Sequence, residues 1–557
     1  MVIDYKGVTF SFKAQKKKKI IKRVRLTALF VIILCIYLFI SSVLDSGKIK
    51  AVETMLLENK CDEAAEKLDK IEGTLFHHKT KEELKALLYL FRNDLTRGSE
   101  ILDSLKTAGT SVDFQKFLEY FSTHAEYRKM EIYTNYLKSR GENLLFYEAM
   151  YNAGLFDYKQ SMAVLEKIPA AEEKTHSQEL ELIRKVNDQL KSGKINYIFD
   201  VNGLPMAYYD LQLKETVSLT PGLSFQPFNE EFKSGLKFYS LTIDLAIQEK
   251  LHRLFNNRKY HGTFLLFDLN DTGIIAAYSD PYDGTRQNEV FSGTYEPGSI
   301  IKVLTLFCYL QNGPQDLFPY QCKGTCPING KIFYDWFNHG TIQTYDEALA
   351  VSCNISFARM GIGLGLKKLG AVFNRFFYNR DAMRDRFLQF KTGTYNTATA
   401  DKYEMANLSV GLNHITITTF HAALLAAVIA QSGSIYTPHL IKNEKNLFKL
   451  GYYTHPSELI TADGDSAAFL KVKNAMARVV EDPRGTGRRS KVDFVRVGLK
   501  TGTAGKKELG LDAILIGFFP VEKPRYAFAF RLERAGKAEI KGAYFFKDFL
   551  NAFYVKK

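Results

Sequence analysis

The alternation of apolar and polar positions divides the chain into stretches of different period. From Leu26 through Leu44 no residue is charged, and as a helix that run would extend about 28 Å, enough to cross the hydrocarbon of a bilayer. From Asp45 to about Leu190 apolar residues recur at three- and four-residue steps with almost no strand-like alternation, which predicts amphipathic helices. Leu68, Leu102, Tyr133 and Leu165 each fall late in a charged, Ala/Leu/Ile-bearing helix, at separations of 34, 31 and 32 residues. Such a period predicts helix pairs stacked as a solenoid. Lys191-Ser192-Gly193-Lys194 breaks the pattern, and Ile198 to Gly203 opens a region of short strands punctuated by Pro205, Pro221 and Pro227. From Tyr239 a third pattern begins. Leu241-Thr242-Ile243-Asp244 leads into a helix, and Thr263–Leu269 and Ile274–Ser279 read as strands joined by the Asp271-Thr272-Gly273 turn. Near the C-terminus Val495, Val497 and Leu499 alternate with polar or small residues. Ala513–Phe519 and Tyr526–Leu532 follow as strand-like runs, with Pro520 and Pro524 at their turn and a final helix from about Ala543. Five strands in hairpin order, with helical sequence between the second and third, predict an α+β domain: a five-stranded antiparallel sheet flanked by helices. The expected division is a basic tail over 1–25, a transmembrane helix over 26–44, an all-α repeat region over 45–190, a linker or pedestal over 191–238 and the α+β domain over 239–557.

A chain of 557 residues is too long for one ordinary core, in keeping with that division. With 46% hydrophobic and 24% charged residues, neither disorder nor a many-pass membrane protein is indicated. Nine of the basic residues stand in positions 1–25 against one acid, Asp4, so +14 less this local +8 leaves +6 for the rest of the chain. That remainder does not point to a nucleic-acid partner. The basic cluster before Leu26 predicts a cytoplasmic N-terminus, which places everything after Asp45 outside the inner leaflet. The apolar run exceeds the usual core of a signal peptide, and no Ala-x-Ala cleavage site follows it. The helical region resembles tetratricopeptide-type repeats without their full consensus. Two readings of it stay open, a docking surface for other envelope proteins and a spacer that lifts the next domain off the membrane.

The six cysteines, Cys35, Cys61, Cys308, Cys322, Cys326 and Cys353, lack the paired-pair spacing of zinc modules, so no metal is expected. Cys322 and Cys326 bracket a short loop that could close a disulfide in an oxidising compartment, or could remain free thiols. Gly361, Gly363 and Gly365 hint at a dinucleotide loop, but position 366 is leucine and no strand precedes, so a helix end is expected there and no cofactor.

Candidate chemistry lies in three short segments. In Pro297-Gly298-Ser299-Ile300-Ile301-Lys302 the serine stands at the start of an apolar helix, and a three-residue step puts Ser299 and Lys302 on one face. The amine could then take the hydroxyl proton as the oxygen attacks. A free lysine is only about 0.04% deprotonated at pH 7, so burial and a neighbouring positive charge would have to lower its pKa. Alone, the pattern more often marks a capping serine and a surface lysine. Ser352-Cys353-Asn354, expected inside the helical run from Glu347, offers a hydroxyl to relay a proton and an amide to hold a peptide carbonyl. Lys500-Thr501-Gly502-Thr503 closes the strand expected from Val495, where glycine lets a peptide add itself to a sheet edge. Lys500 is expected both to attract a terminal carboxylate and to supply the field that keeps Lys302 neutral, and the backbone N–H groups of Ser299 and Thr503 to form an oxyanion hole.

The three segments in this order are the signature of penicillin-binding proteins and class A β-lactamases. Residues from about 239 to 533 resemble the penicillin-binding protein transpeptidase domain at further places: Leu241–Leu245, Tyr295–Ser299, Glu347–Leu349, Gly485-Thr486-Gly487-Arg488 and Gly517–Pro520. Ile198 to Gly203 is similar to the segment that opens many of their pedestals. The resemblance implies a D,D-transpeptidase of the bacterial inner membrane whose Ser299 is acylated by peptidoglycan stem peptides and by β-lactams. Ser299, Lys302, Ser352, Asn354 and Lys500 would be its catalytic residues, with Thr501, Gly502 and Thr503 binding substrate. Nothing before Ser299 resembles a glycosyltransferase module. Two alternatives stay open: a D,D-carboxypeptidase or β-lactamase on the same fold, and an envelope scaffold with a vestigial catalytic domain. The nearest acid to a helix-borne Asn407 is Glu404, and its spacing does not match the class A β-lactamase pattern.

Overall fold

The computed structural model describes residues 5–71, 77–105, 112–229, 232, 236–281, 288–312, 317–380, 383–384, 388–396, 401–445, 459–505 and 508–554, the side chains of 5–25, 384 and 445 excepted. The side chains of the basic tail therefore lie outside the description. Two compact units emerge, one built from the chain up to Lys191 and the other from Ser192 onward.

The first unit is all helical: α1 (Tyr5–Leu57), α2 (Cys61–Asp69), α3 (His78–Phe91), α4 (Leu95–Ser104), α5 (Phe114–Thr123), α6 (Tyr127–Ser139), α7 (Leu145–Gly154), α8 (Tyr158–Leu165), α9 (Ala170–Thr175) and α10 (Ser177–Ser192). Among the described residues, only the stretch of α1 from Leu26 on is long and apolar enough to cross a membrane. Its apolar side chains are exposed as far as Leu44, except the half-buried Leu38; beyond that, Asp45, Ile49, Val52 and Leu56 are buried. One helix thus serves the apolar span and the first layer of the helical region. Residues in the left-handed conformation recur at Asn59, Asn93, Ala125 and Phe156, at steps of 34, 32 and 31. One residue separates each from the second helix of a pair (α2, α4, α6, α8); Leu68, Leu102 and Leu165 are buried nine positions after it and Tyr133 eight. Asp94 and Asp157 cap α4 and α8 by accepting from the backbone N–H groups of Arg97 and Gln160. In the core Glu83, fully buried, accepts from the Tyr133 hydroxyl at 2.6 Å and the Tyr136 hydroxyl at 3.2 Å and lies 3.5 Å from Arg140.

The second unit opens with β1 (Lys194–Phe199), β2 (Pro205–Asp210), β3 (Glu215–Ser218) and β4 (Phe238–Leu241). A fifth strand, Ile441–Lys445, joins their sheet beside β4 from far along the chain. Asp244 then caps α11 (Leu245–Arg258), accepting from Ala246 and Ile247. The following elements are β5 (His261–Asp268), β6 (Gly273–Asp280), α12 (Lys302–Gln311), β7 (Tyr320–Cys322), β8 (Thr325–Ile328), β9 (Lys331–Tyr334), β10 (Gly340–Ile342), α13 (Tyr345–Ala350), α14 (Asn354–Arg375), α15 (Lys402–Val410), α16 (Thr419–Ala430), α17 (Ser466–Glu481), β11 (Gly498–Ala504), β12 (Asp512–Phe519), β13 (Tyr526–Glu533) and α18 (Ala543–Tyr554). The expected five-stranded antiparallel sheet is present, in the order β11-β12-β13-β5-β6. Its strands are buried on both faces. Thr263 meets Thr419 of α16 on one, and on the other Phe264 packs against Phe549 of α18 with ring centroids 4.7 Å apart. Helix α16, apolar on every side, is wholly buried, as that pattern requires.

Two expectations need correction. Strand β11 begins at Gly498 rather than near Val495 and runs to Ala504, with Lys500-Thr501-Gly502-Thr503 in its middle and C-terminal part. Ser352-Cys353-Asn354 is not inside a helix: α13 stops at Ala350, Ser352 takes a left-handed φ of 57°, and α14 starts at Asn354. The glycine-rich stretch lies within α14, where Gly365 leaves helical geometry at φ 74° and ψ 162° and kinks it.

Candidate active site

Ser299 sits in a 3-10 turn, Gly298–Ile301, which runs directly into α12. Gly298 has φ +54° and donates its N–H to Gly411 O, the residue that ends α15, at 2.9 Å. The turn is pressed against the edge strand. A Cβ on Gly298 would lie 2.8 Å from Thr503 O, and one on Gly502 2.8 Å from Pro297 O. Both glycines are therefore required by close backbone approach, and this brings Ser299 alongside Thr503.

Lys302 and Lys500 are both fully buried. Lys302 Nζ donates to Ser352 O at 2.7 Å, Ser352 Oγ at 3.2 Å and Asn354 Oδ1 at 2.6 Å. Lys500 Nζ donates to Ser352 Oγ at 2.9 Å and Thr501 O at 2.8 Å. One hydroxyl therefore bridges two amines that come from opposite ends of the domain's sequence, and the left-handed turn at Ser352 is what presents it to both. No described hydrogen bond joins Lys302 to Ser299; the amine's three partners all belong to the Ser352–Asn354 turn. In a 3-10 turn side chains three residues apart lie on the same side, so the hydroxyl and the amine still share a face. Catalytic hydrogen bonds commonly tighten only once substrate binds.

Burial depresses the Lys302 pKa to about 8, with the Asp335 carboxylate pulling the other way. At that value about one amine in ten is neutral at pH 7, against fewer than about one in a thousand in water. Lys500 is pushed well below the usual lysine range, first by burial and then by the Lys302 charge. Burial is the larger cause for both; the charge repulsion acts on Lys500, and for Lys302 burial alone is the lowering cause.

A cavity of about 270 Å³ opens over this cluster, lined by Ser299, Ser352, Asn354, Thr501 and Thr503 and also by Trp336, Thr486, Leu511, Lys537 and Glu539. Lys500 does not line it. The Thr501 hydroxyl donates to Thr486 Oγ1 at 2.7 Å, so a carboxylate entering the cavity meets hydroxyl groups with the lysine behind them. Gly485-Thr486-Gly487-Arg488 was thus a signal for Thr486. Trp336 is the chain's single tryptophan, but only its position in the fold marks it. Arg484 pairs with Glu347 at the base of α13 and steadies that helix. Glu404 is held by Asn413 and His414 and is not among the cavity's lining residues.

All six cysteines are free. Cys322 faces Asp335 and Cys353, while Cys326 Sγ approaches Pro327 O. The Cys322–Cys326 disulfide is therefore not formed, and among the described residues Cys322, Asp335 and Cys353 are those whose donor atoms come close enough to hold a metal.

Residues 262–551 match the family model described as penicillin binding protein transpeptidase domain. The chain is 28% identical over 323 residues to stage V sporulation protein D of Bacillus subtilis (strain 168), covering 52% of this chain and 49% of that protein. To the peptidoglycan D,D-transpeptidase PbpA of Mycolicibacterium smegmatis it is 27% identical over 286 residues, covering 47% and 56%. It spans about half the length of the curated relatives it matches. Among solved structures, the D,D-transpeptidase domain of a peptidoglycan glycosyltransferase from Eggerthella lenta superposes with a TM-score of 0.57 at 21% identity, over 65% of this chain and 98% of that one. Penicillin-binding protein A of M. tuberculosis, solved as a penicillin G acyl-enzyme complex, gives 0.56 at 19% over 65% and 100%. At such identities the likeness speaks for the fold.

Proposed function

The chain belongs to the penicillin-binding protein transpeptidase family, and on that premise we propose that it is a D,D-transpeptidase that cross-links peptidoglycan stem peptides through an acyl-enzyme at Ser299. The observation that carries the proposal is the meeting of three distant segments on Ser352 Oγ, with Lys302 at 3.2 Å and Lys500 at 2.9 Å beside the turn that bears Ser299. In the proposed reaction Ser299 Oγ attacks the carbonyl carbon of the penultimate D-alanine and its proton passes to neutral Lys302. The negative charge that develops on the carbonyl oxygen is stabilised by the N–H groups of Ser299 and Thr503. As the intermediate collapses, the terminal D-alanine leaves. Its nitrogen takes a proton from Lys302 through Ser352, whose hydroxyl can accept from one amine while it donates onward. Asn354 holds the donor peptide, which lies along the β11 edge with Thr501 and Thr503 at its carboxylate. An amine on a neighbouring stem peptide then attacks the ester and frees Ser299. A β-lactam enters the same path and stays as the acyl group.

The basic residues before Leu26 support an anchored protein with its N-terminus in the cytoplasm and the second unit outside. The helical pairs support a docking surface for an envelope partner. The position of Glu404, tied to Asn413 and His414, favours transfer to an amine over rapid hydrolysis, since it leaves that acid away from any water at Ser299. The test is incubation of the purified chain with a fluorescent penicillin. Wild type takes a covalent label that persists for many minutes and Ser299→Ala takes none; an undiminished label on the variant would remove Ser299 from the reaction.

A further inference from the structure

The loop that follows α17 borders two cavities. Thr486 lines the active-site cavity, while Arg484, Arg488 and Arg489 line a second one of about 690 Å³. Backbone bonds fix the loop between α13 and α17: Gly485 donates its N–H to Asp482 O at 2.8 Å, Gly487 to Val479 O at 3.0 Å and Thr486 to Ala350 O at 3.0 Å. A Cβ on Gly485 would lie 2.3 Å from Val479 O, so close approach requires glycine there. Lys491 and, from α18, Lys547 complete a basic lining in which Asp493 is the one acid among the described residues. Arg484 is matched by Glu347. Arg488 donates to Pro483 O at 3.1 Å and Arg489 to Glu539 O at 3.3 Å, bonds that orient the guanidinium groups without neutralising them. Among the described residues no ion pair involves Arg488, Arg489, Lys491 or Lys547. Four unmatched cations around one carboxylate in a concave site attract anions, whereas an ordinary solvated face mixes both signs.

We infer that this cleft docks the stem peptide that accepts the acyl group and holds it by its carboxylates; the inference rests on the transpeptidase reading above. The ligand class is an anionic peptide with a free amine. The cleft's volume suits a ligand of a few residues, and Phe494 and Tyr544, 51% and 48% exposed, add apolar surface for its methyl and methylene groups. Proximity favours such a peptide over a long anionic polymer. Thr486 and Arg488 are two residues apart, at most about 7 Å of chain, and Arg489 holds the carbonyl of Glu539, which lines the active-site cavity. A tripeptide, extended over about 10 Å, therefore bridges the two cavities with its carboxylates on the cations and its amine toward the Ser299 ester. Guanidinium groups take a carboxylate through two parallel bonds, which fixes direction as well as position. In the transfer the amine nitrogen bonds to the ester carbonyl carbon, the bond to Ser299 Oγ breaks, and a proton of the amine returns to that oxygen. The cleft binds and aims the acceptor, and the active site makes and breaks the bonds.

The experiment uses the full chain in non-ionic detergent, blocked at Ser299 with penicillin so that the donor path is filled. It is titrated with a fluorescent tripeptide that carries a lysine amine, a glutamate carboxylate and a free C-terminus, and binding is read by fluorescence polarisation. Saturable binding is expected, weakened at least about tenfold when both carboxylates of the peptide are amidated. Lys491→Glu combined with Lys547→Glu should weaken it by a similar factor at an unchanged Tm, since neither lysine has an ion-pair partner to lose among the described residues. Added salt should weaken binding to wild type more than to the double variant. Equal affinity for the amidated peptide, or equal affinity of the double variant and wild type, would overturn the proposal. So would tighter capture of a glycerol phosphate oligomer than of the tripeptide, which would assign the cleft to an anionic polymer. A wild type that takes no penicillin label fails the reading of Ser299 instead, and the same titration on the unblocked chain still decides this one.

Discussion

The two units bury charge for opposite ends. In the helical unit Glu83 is enclosed by the Tyr133 and Tyr136 hydroxyls and the Arg140 guanidinium, so its carboxylate is paired and its surroundings are complete. In the second unit Lys302 and Lys500 are enclosed just as fully, yet they share a serine hydroxyl and neither has a carboxylate against its amine. A paired buried charge keeps its charge and holds a fold together. An unpaired buried amine gives up its proton more readily, and the neutral form is the one from which a lysine can act as a base. Burial alone therefore does not distinguish scaffold from site; the partner does.

Substitutions at each place separate the two roles. Lys302→Met should lower the second-order rate of penicillin acylation by about 10³-fold while leaving the fold intact, read by stopped-flow labelling together with circular dichroism. Retention of near wild-type acylation would make Lys302 structural, like Glu83. Ser352→Ala, which removes the hydroxyl between the amines, should cost about 10²-fold in the same assay. Glu83→Ala should leave acylation unchanged and destabilise the helical unit by about 3 kcal/mol, since Arg140 loses its counterion. The single tryptophan, Trp336, lies in the second unit, so its fluorescence should report unaltered melting while the helical circular dichroism signal melts earlier. A simultaneous shift in both signals would break the comparison.

The strands flanking the β5–β6 and β12–β13 turns were legible because apolar runs end at Asp271-Thr272-Gly273 and at Pro520, where backbone chemistry dictates a turn. The helices of the first unit were legible because apolar residues recur there at three- and four-residue steps. The turn at Ser352 was not, because Glu347–Val351 carries a helical pattern and no glycine or proline marks where it stops. Val495 and Val497 continue the alternation of β11 without entering it. The strand Ile441–Lys445 pairs with β4 from about 200 residues away, a pairing that local pattern cannot carry. At the site, motif order named the residues but not their depth: Lys500 was expected to attract a terminal carboxylate, and the fold buries it beneath Thr501. The grouping of Cys322, Asp335 and Cys353 escaped because spacing was sought in neighbouring pairs, whereas β7, the β9–β10 loop and the α13–α14 turn bring them together.

The central claim is that burial makes Lys302 a base near neutral pH, and the pH dependence of acylation tests it most directly. With its pKa lowered to about 8, the neutral fraction grows as pH rises. The acylation rate of wild type should therefore climb about tenfold per pH unit below that value and level off above it. A rate that stays flat between about pH 6 and pH 9, or one that still climbs toward the ordinary lysine range, would contradict the account.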